Sequence, residues 1–174
     1  MRRRQLVASL VAILTGACSW PWSRSDCETM PDTAPGKIRL VPDHWHMLNV
    51  GILKDGRVFF VDTQLDPSKG ATKDFVCTFV FDSTGRLSEH SIELIGVRGS
   101  YPVGSVRDAL SRHLTALGDR STNDVWVKPF SVLSNGTTFG LIPRQTTSGH
   151  WRVEFMPGNT FSFCAPWDVG GYDT

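Results

Sequence analysis

Trp151-Arg-Val-Glu-Phe-Met156, Pro157-Gly-Asn159 and Thr160-Phe-Ser-Phe-Cys164 form the stretch on which the reading of the fold turns. In an extended chain successive side chains point to opposite faces, so Trp151, Val153 and Phe155 share one side while Arg152 and Glu154 take the other. Beyond the Pro-Gly-Asn turn, Phe161 and Phe163 supply partners for the apolar side. This is an antiparallel hairpin with one face toward a core and one toward water.

The same pattern recurs toward the N-terminus. Met47–Leu53 and Arg57–Asp62 flank Asp55-Gly56, and Phe75–Phe81 and Leu87–Val97 flank Asp82-Ser-Thr-Gly85. Val125–Leu133 and Thr138–Ile142 flank Asn135-Gly136, whose residues tolerate the positive φ of a tight hairpin turn. One helix is predicted over about 105–117. Ser105 is its expected cap, Asp108 lies in its first turn, and Gly118 is its stop. Val106, Leu110, Leu114 and Leu117 recur at helical spacing as a single apolar stripe. The expected fold class is therefore α+β: eight or nine mostly antiparallel strands, built from successive hairpins, with one amphipathic helix laid against the sheet.

The first eighteen residues have a different character. Arg2, Arg3 and Arg4 precede an apolar run from Leu6 to Leu14, which is too short for a stable membrane span of roughly 20 residues. Leu14-Thr-Gly-Ala-Cys18 resembles the lipobox of bacterial lipoproteins, with Thr15 standing where that family prefers leucine. The resemblance implies cleavage before Cys18, acylation of its sulfur, and anchoring to a membrane through the lipid. By the same resemblance Ser19, in place of aspartate, implies the outer membrane with the domain facing the periplasm. The alternative is an ordinary signal peptide cut near Ala17, leaving Cys18 a plain thiol. The expected organisation is a signal peptide over 1–17, a lipidated N-terminus and Pro/Trp-rich tether over 18–36, and one β-rich domain over 37–174. Trp20 and Trp22 follow the lipid site, where they would either rest among lipid headgroups or pack on the domain.

Without the three leader arginines, 15 of the 18 basic residues remain against 17 acids, a balance of −2. No basic patch stands out, so nucleic acid is not an expected partner. Cys27, Cys77 and Cys164 remain beside Cys18, and an oxidising compartment would allow one disulfide. Cys77 alternates with Phe75, Phe79 and Phe81 on an apolar face, so the expected pair is Cys27–Cys164 with Cys77 a buried thiol. No spacing is CxxC.

Signals for chemistry are sparse. On a strand, His44 and His46 of Asp43-His-Trp-His46 would project from one face at a spacing some metal sites use, with His90, His113 or His150 as a third ligand. The simpler reading is a partly exposed strand entry, and no metal or other cofactor is expected. Ser100 or Ser105 with His113 or His150 would be a serine-hydrolase set, but neither serine lies in a nucleophile-elbow motif. Asp62 with Asp66, and Asp168 with Asp173, read as caps or solvated loop acids. Tyr101, Trp167 and Tyr172 are the residue types that anchor interfaces, although the tail carrying the last two is expected to fold back over an open sheet edge. The function expected from these features is a lipid-anchored, non-catalytic protein-binding module, with an immunity protein against a cell-envelope toxin as its specific form. An assembly accessory binding peptidoglycan or a secretion component, and a hydrolase or metal enzyme using His44 and His46, are the alternatives.

Overall fold

The structure is a computed structural model that describes residues 33–67 and 70–173. Its elements run β1 (Ile38–Leu40), β2 (Asn49–Leu53), β3 (Val58–Asp66), β4 (Lys73–Phe81), β5 (Leu87–Val97), α1 (Ser105–Ala116), β6 (Arg120–Thr122), β7 (Val125–Val127), β8 (Phe130–Ser134), β9 (Thr137–Gln145), β10 (Trp151–Met156), β11 (Ser162–Phe163) and β12 (Tyr172–Asp173). Two five-stranded sheets have the orders β5-β4-β3-β2-β6 and β12-β11-β10-β9-β8, and β1 pairs with β7 as a separate ribbon. The pairings are antiparallel. The α+β, β-rich class read from the sequence is the one observed.

The two large sheets stack face to face, and α1 covers the outer face of the first. Strand parity produces this arrangement. In β4, Phe75, Cys77, Phe79 and Phe81 point between the sheets, where they join Phe60 of β3 and Phe139, Leu141, Val153 and Phe155 of the second sheet. Ring pairs cross the gap: Phe60 with Phe155 at 5.4 Å, Phe75 with Phe139 at 5.0 Å, and Phe79 with Phe130 at 4.8 Å between centroids. The alternate residues Leu53, Phe59, Val61 and Val80 form a second apolar layer under Leu110 and Leu114 of α1 and Leu117, which caps its C-terminal end. The first half of β3 and nearly all of β4 are thus covered on both faces, which explains the apolar runs Val58–Val61 and Phe75–Phe81.

The hairpin turns lie where glycine and asparagine placed them. Asn135 and Gly136 take φ of 50° and 76°, the pair of positive values that a two-residue β8–β9 turn requires. In β2, Gly51 has a different purpose: a Cβ there would sit 1.9 Å from the carbonyl oxygen of Ser121, so only glycine lets β6 pair this closely.

Four expectations change. The described residues form twelve strands in place of eight or nine. Val125–Leu133 is not one strand, because Pro129, which has no N–H to donate, separates β7 from β8 and the two join different sheets. Ser105 does not cap α1; Gly104 occupies that position at φ 97°, and the Ser105 hydroxyl donates to the Pro102 carbonyl at 2.8 Å. Asp62 and Asp66 are not loop acids but members of β3, which runs four residues beyond Asp62.

Candidate protein-binding surface

Asp43-His-Trp-His46 is a hydrogen-bonded turn rather than a strand entry. One carboxylate oxygen of Asp43, Oδ1, accepts from the backbone N–H groups of Trp45, His46 and Met47 at 2.8, 2.9 and 2.8 Å. This local bonding competes with extended pairing and wins. It undoes the alternation that would have put His44 and His46 on one face. His44 is exposed, whereas His46 turns inward to pack on Phe161 and Tyr172, with Nδ1 3.4 Å from the Tyr172 hydroxyl. Among the described residues no three His, Cys, Asp or Glu side chains group as metal ligands.

The turn displays two apolar side chains. Trp45 is 83% exposed and Leu48 54% exposed, with buried Met47 between them as an anchor. Leu48 also lines a groove of about 560 Å³ with Asn49, Phe59, Leu114, Gly118, Asp119, Arg120 and Thr122. The groove lies where the C-terminal end of α1 meets β2 and the edge strand β6. Leu48, Phe59 and Leu114 are the apolar members of a mainly polar lining, to which Asp119 and Arg120 bring one charge of each sign. An exposed tryptophan on a fixed turn beside such a groove is the arrangement of an interface anchor, and nothing in the sequence pattern distinguished Trp45 from the chain's other tryptophans.

The three side chains named for partner contact are part-buried and make contacts within the domain. Tyr101 donates its hydroxyl to Asp74, which Arg98 also contacts at 2.9 Å. Burial works against the charge of Asp74, but the hydrogen bonds from Arg98 and Tyr101 outweigh it and hold its pKa below the usual carboxylate value. The neighbouring loop exposes Val103 instead. Trp167 and Tyr172 pack against the inter-sheet core. The Trp167 carbonyl accepts from the Arg39 N–H at 2.9 Å, and β12 extends the second sheet beyond β11. The tail therefore folds back over an edge.

The hydroxyl, imidazole and carboxylate that do converge are Thr78, His113 and Glu93. Thr78 Oγ1 lies 2.8 Å from His113 Nδ1, and His113 Nε2 lies 3.2 Å from Glu93 Oε2. The order resembles a nucleophile–base–orienter relay. Thr78, however, is only 7% exposed, on the face of β4 that α1 covers, so this relay joins the helix to the sheet rather than meeting a substrate. Ser100 and Ser105 donate to the carbonyls of Val97 and Pro102, not to a histidine.

Cys77 is a free, buried thiol whose pKa is pushed well up by burial and by the Asp62 charge. Cys164 is disulfide-bonded. Cys27, its expected partner, and the lipidation site Cys18 lie outside the described residues. Among the described residues no helix is long and apolar enough to cross a membrane. No protein-family model matches the chain. No curated protein and no solved structure matches it either.

Proposed function

We propose that the chain is a membrane-anchored periplasmic lipoprotein that acts as a non-catalytic protein-binding module, in the specific form of an immunity or inhibitor protein against a cell-envelope toxin. The anchoring rests on the lipobox-like Leu14–Cys18. The observation that carries the binding reading is Trp45, 83% exposed on a turn fixed by three hydrogen bonds to Asp43. An exposed indole costs solubility, and a rigid mount keeps low the entropy lost on binding. Leu48 adds a second exposed apolar side chain on the same turn, and the adjoining groove it lines offers polar partners, Asp119 and Arg120 among them.

The test is capture of partners from the native envelope by the tagged full chain, followed by affinity measurement on what is captured. A single stoichiometric protein is expected, with Trp45→Ala weakening its binding by about 30-fold (about 2 kcal/mol, the scale of an interface anchor) and leaving the melting temperature unchanged. The absence of a stoichiometric partner would overturn the binding reading. A partner indifferent to both Trp45→Ala and Leu48→Ala would overturn the assignment of the surface.

A further inference from the structure

Strand parity divides the β1–β7 ribbon into two faces. Ile38, Leu40, Val125 and Val127 belong to the core, so Arg39 and Trp126, which stand opposite each other in the pairing, share the outer face. Lys37, two residues before Arg39, and Asp124, two before Trp126, extend that face. An ion pair from Arg39 holds Asp124 there. The β4–β5 turn abuts this ribbon. The Lys128 N–H donates to the Gly85 carbonyl at 2.7 Å, and a Cβ at Gly85 would lie 2.7 Å from the Trp126 carbonyl oxygen, so only glycine lets the turn approach this closely. The contact brings the turn residues Asp82 and Ser83 beside Trp126. With Lys37, Asp124 and Val58 of β3, these three line a cleft of about 560 Å³.

The cleft is of a size that takes a small ligand, and its lining selects among ligands. Trp126 is 43% exposed, although Val125 and Val127 on either side of it are buried. Asp82 is fixed as an acceptor. Its Oδ1 takes the N–H and the hydroxyl of Thr84 and the N–H of Arg86 at 2.8, 2.7 and 3.0 Å, while Oδ2 has no hydrogen-bond partner among the described residues. Those bonds, that of the Thr84 hydroxyl first, hold the Asp82 pKa below the usual carboxylate value. Lys37 forms no ion pair among the described residues. The charges balance, Asp82 against Lys37 and Asp124 against Arg39, so a strongly charged ligand gains little from them. What remains is an aromatic surface beside a hydrogen-bond acceptor and a donor. A gluco-configured sugar has the matching chemistry. Its equatorial hydroxyls lie around its edge, and its axial C–H groups form flat faces that the electron-rich face of an indole attracts. We propose that this cleft binds a neutral, β-linked, gluco-configured oligosaccharide, with one ring stacked on Trp126, Asp82 accepting from its hydroxyls and Lys37 donating to them. The cleft shares no residue with the groove beside Trp45, and the inference stands whether or not Trp45 binds a protein.

The experiment is calorimetric titration of chitotriose and of cellotriose into the full chain at pH 7.5, with melting curves of each variant as the control for folding. At least one of the two is expected to fill a single site with a dissociation constant below about 1 mM. Trp126→Ala should weaken that binding at least about tenfold, as loss of an aromatic anchor does, without lowering the melting temperature. Asp82→Asn, which keeps the Oδ1 acceptor of the turn and removes the charge, should weaken it about tenfold. Folded protein that gives no heat with either trisaccharide up to about 10 mM would overturn the proposal. So would sugar binding that both substitutions leave unchanged, which would place the sugar elsewhere. Loss of a captured envelope protein on Trp126→Ala, with neither trisaccharide bound, would also overturn it and make the cleft a protein contact. Capture through Trp45 is read in its own variant, so failure of one reading is distinguishable from failure of the other.

Discussion

At the scale of single residues, Asp62 departs far from ordinary solution behaviour. Burial, with the nearby Asp43 charge added and a backbone hydrogen bond from Thr63 opposing, pushes its pKa from 3.8 up to about 7. The folded state then holds a proton that the unfolded chain releases near pH 4. This term is fully present below the unfolded pKa and is lost as pH rises through the folded one. Each tenfold difference in proton affinity is worth about 1.4 kcal/mol, so the loss amounts to a few kcal/mol between about pH 4 and pH 7. Urea unfolding of Asp62→Asn should show that decline removed, with the variant more stable than the parent at pH 8. An unchanged pH profile would mean that folding does not raise the Asp62 pKa. The placement of Asp62 was hidden in the sequence because Asp-x-Gln-x-Asp after an apolar run resembles the end of a strand, whereas here it continues one. The Asp43 turn was more legible than its reading allowed. An aspartate after proline can cap the N–H groups that follow it, a signal that outweighed the His-x-His spacing.

At the scale of elements, the hairpins and the helix were legible and their joints were not. Of the expected stripe Val106, Leu110, Leu114 and Leu117, the three leucines pack against the layer of Phe59 and Val61, since helical periodicity records which side faces a core. The most buried helix residues are instead Ala109 and His113. A histidine in that position cannot be foreseen from one sequence, because its burial depends on Thr78 and Glu93, each contributed by a different strand. His113→Ala removes an imidazole held at both nitrogens and strands the Thr78 hydroxyl beneath the helix. A loss of about 2–4 kcal/mol is expected in chemical denaturation. A loss under about 0.5 kcal/mol, the scale of an ordinary surface change, would mean that the apolar stripe alone seats the helix. The two-strand split at Pro129 has a similar origin: an apolar run with one proline reads as a strand with a flaw, and only the separate partners of β7 and β8 show that the proline is a boundary.

At the scale of the whole molecule, strand periodicity established that each sheet has an apolar face, but not that the first sheet would be covered on both sides. Alternation predicts a half-wet sheet, and only the unbroken burial of β4 marks the exception. The cysteines divide along the same lines. Parity placed Cys77 among the phenylalanines, where it is a free thiol, while Cys164 near the C-terminal end of the fold is oxidised. Peptide mapping without reduction should find Cys164 joined to Cys27, and a thiol reagent should label Cys77 only after unfolding. Cys77 labelled in the native protein would contradict its burial. The covering of β3 and β4 has a temporal consequence as well. Their amide hydrogens are screened from water by a sheet on one side and a helix on the other, so exchanging them requires opening the entire domain. The edge strands β5, β6 and β8 need only local fraying. Deuterium would therefore enter from the flanks inward and reach the Phe75–Phe81 strand last, so that the centre of the first sheet keeps a record of global unfolding that no surface segment retains.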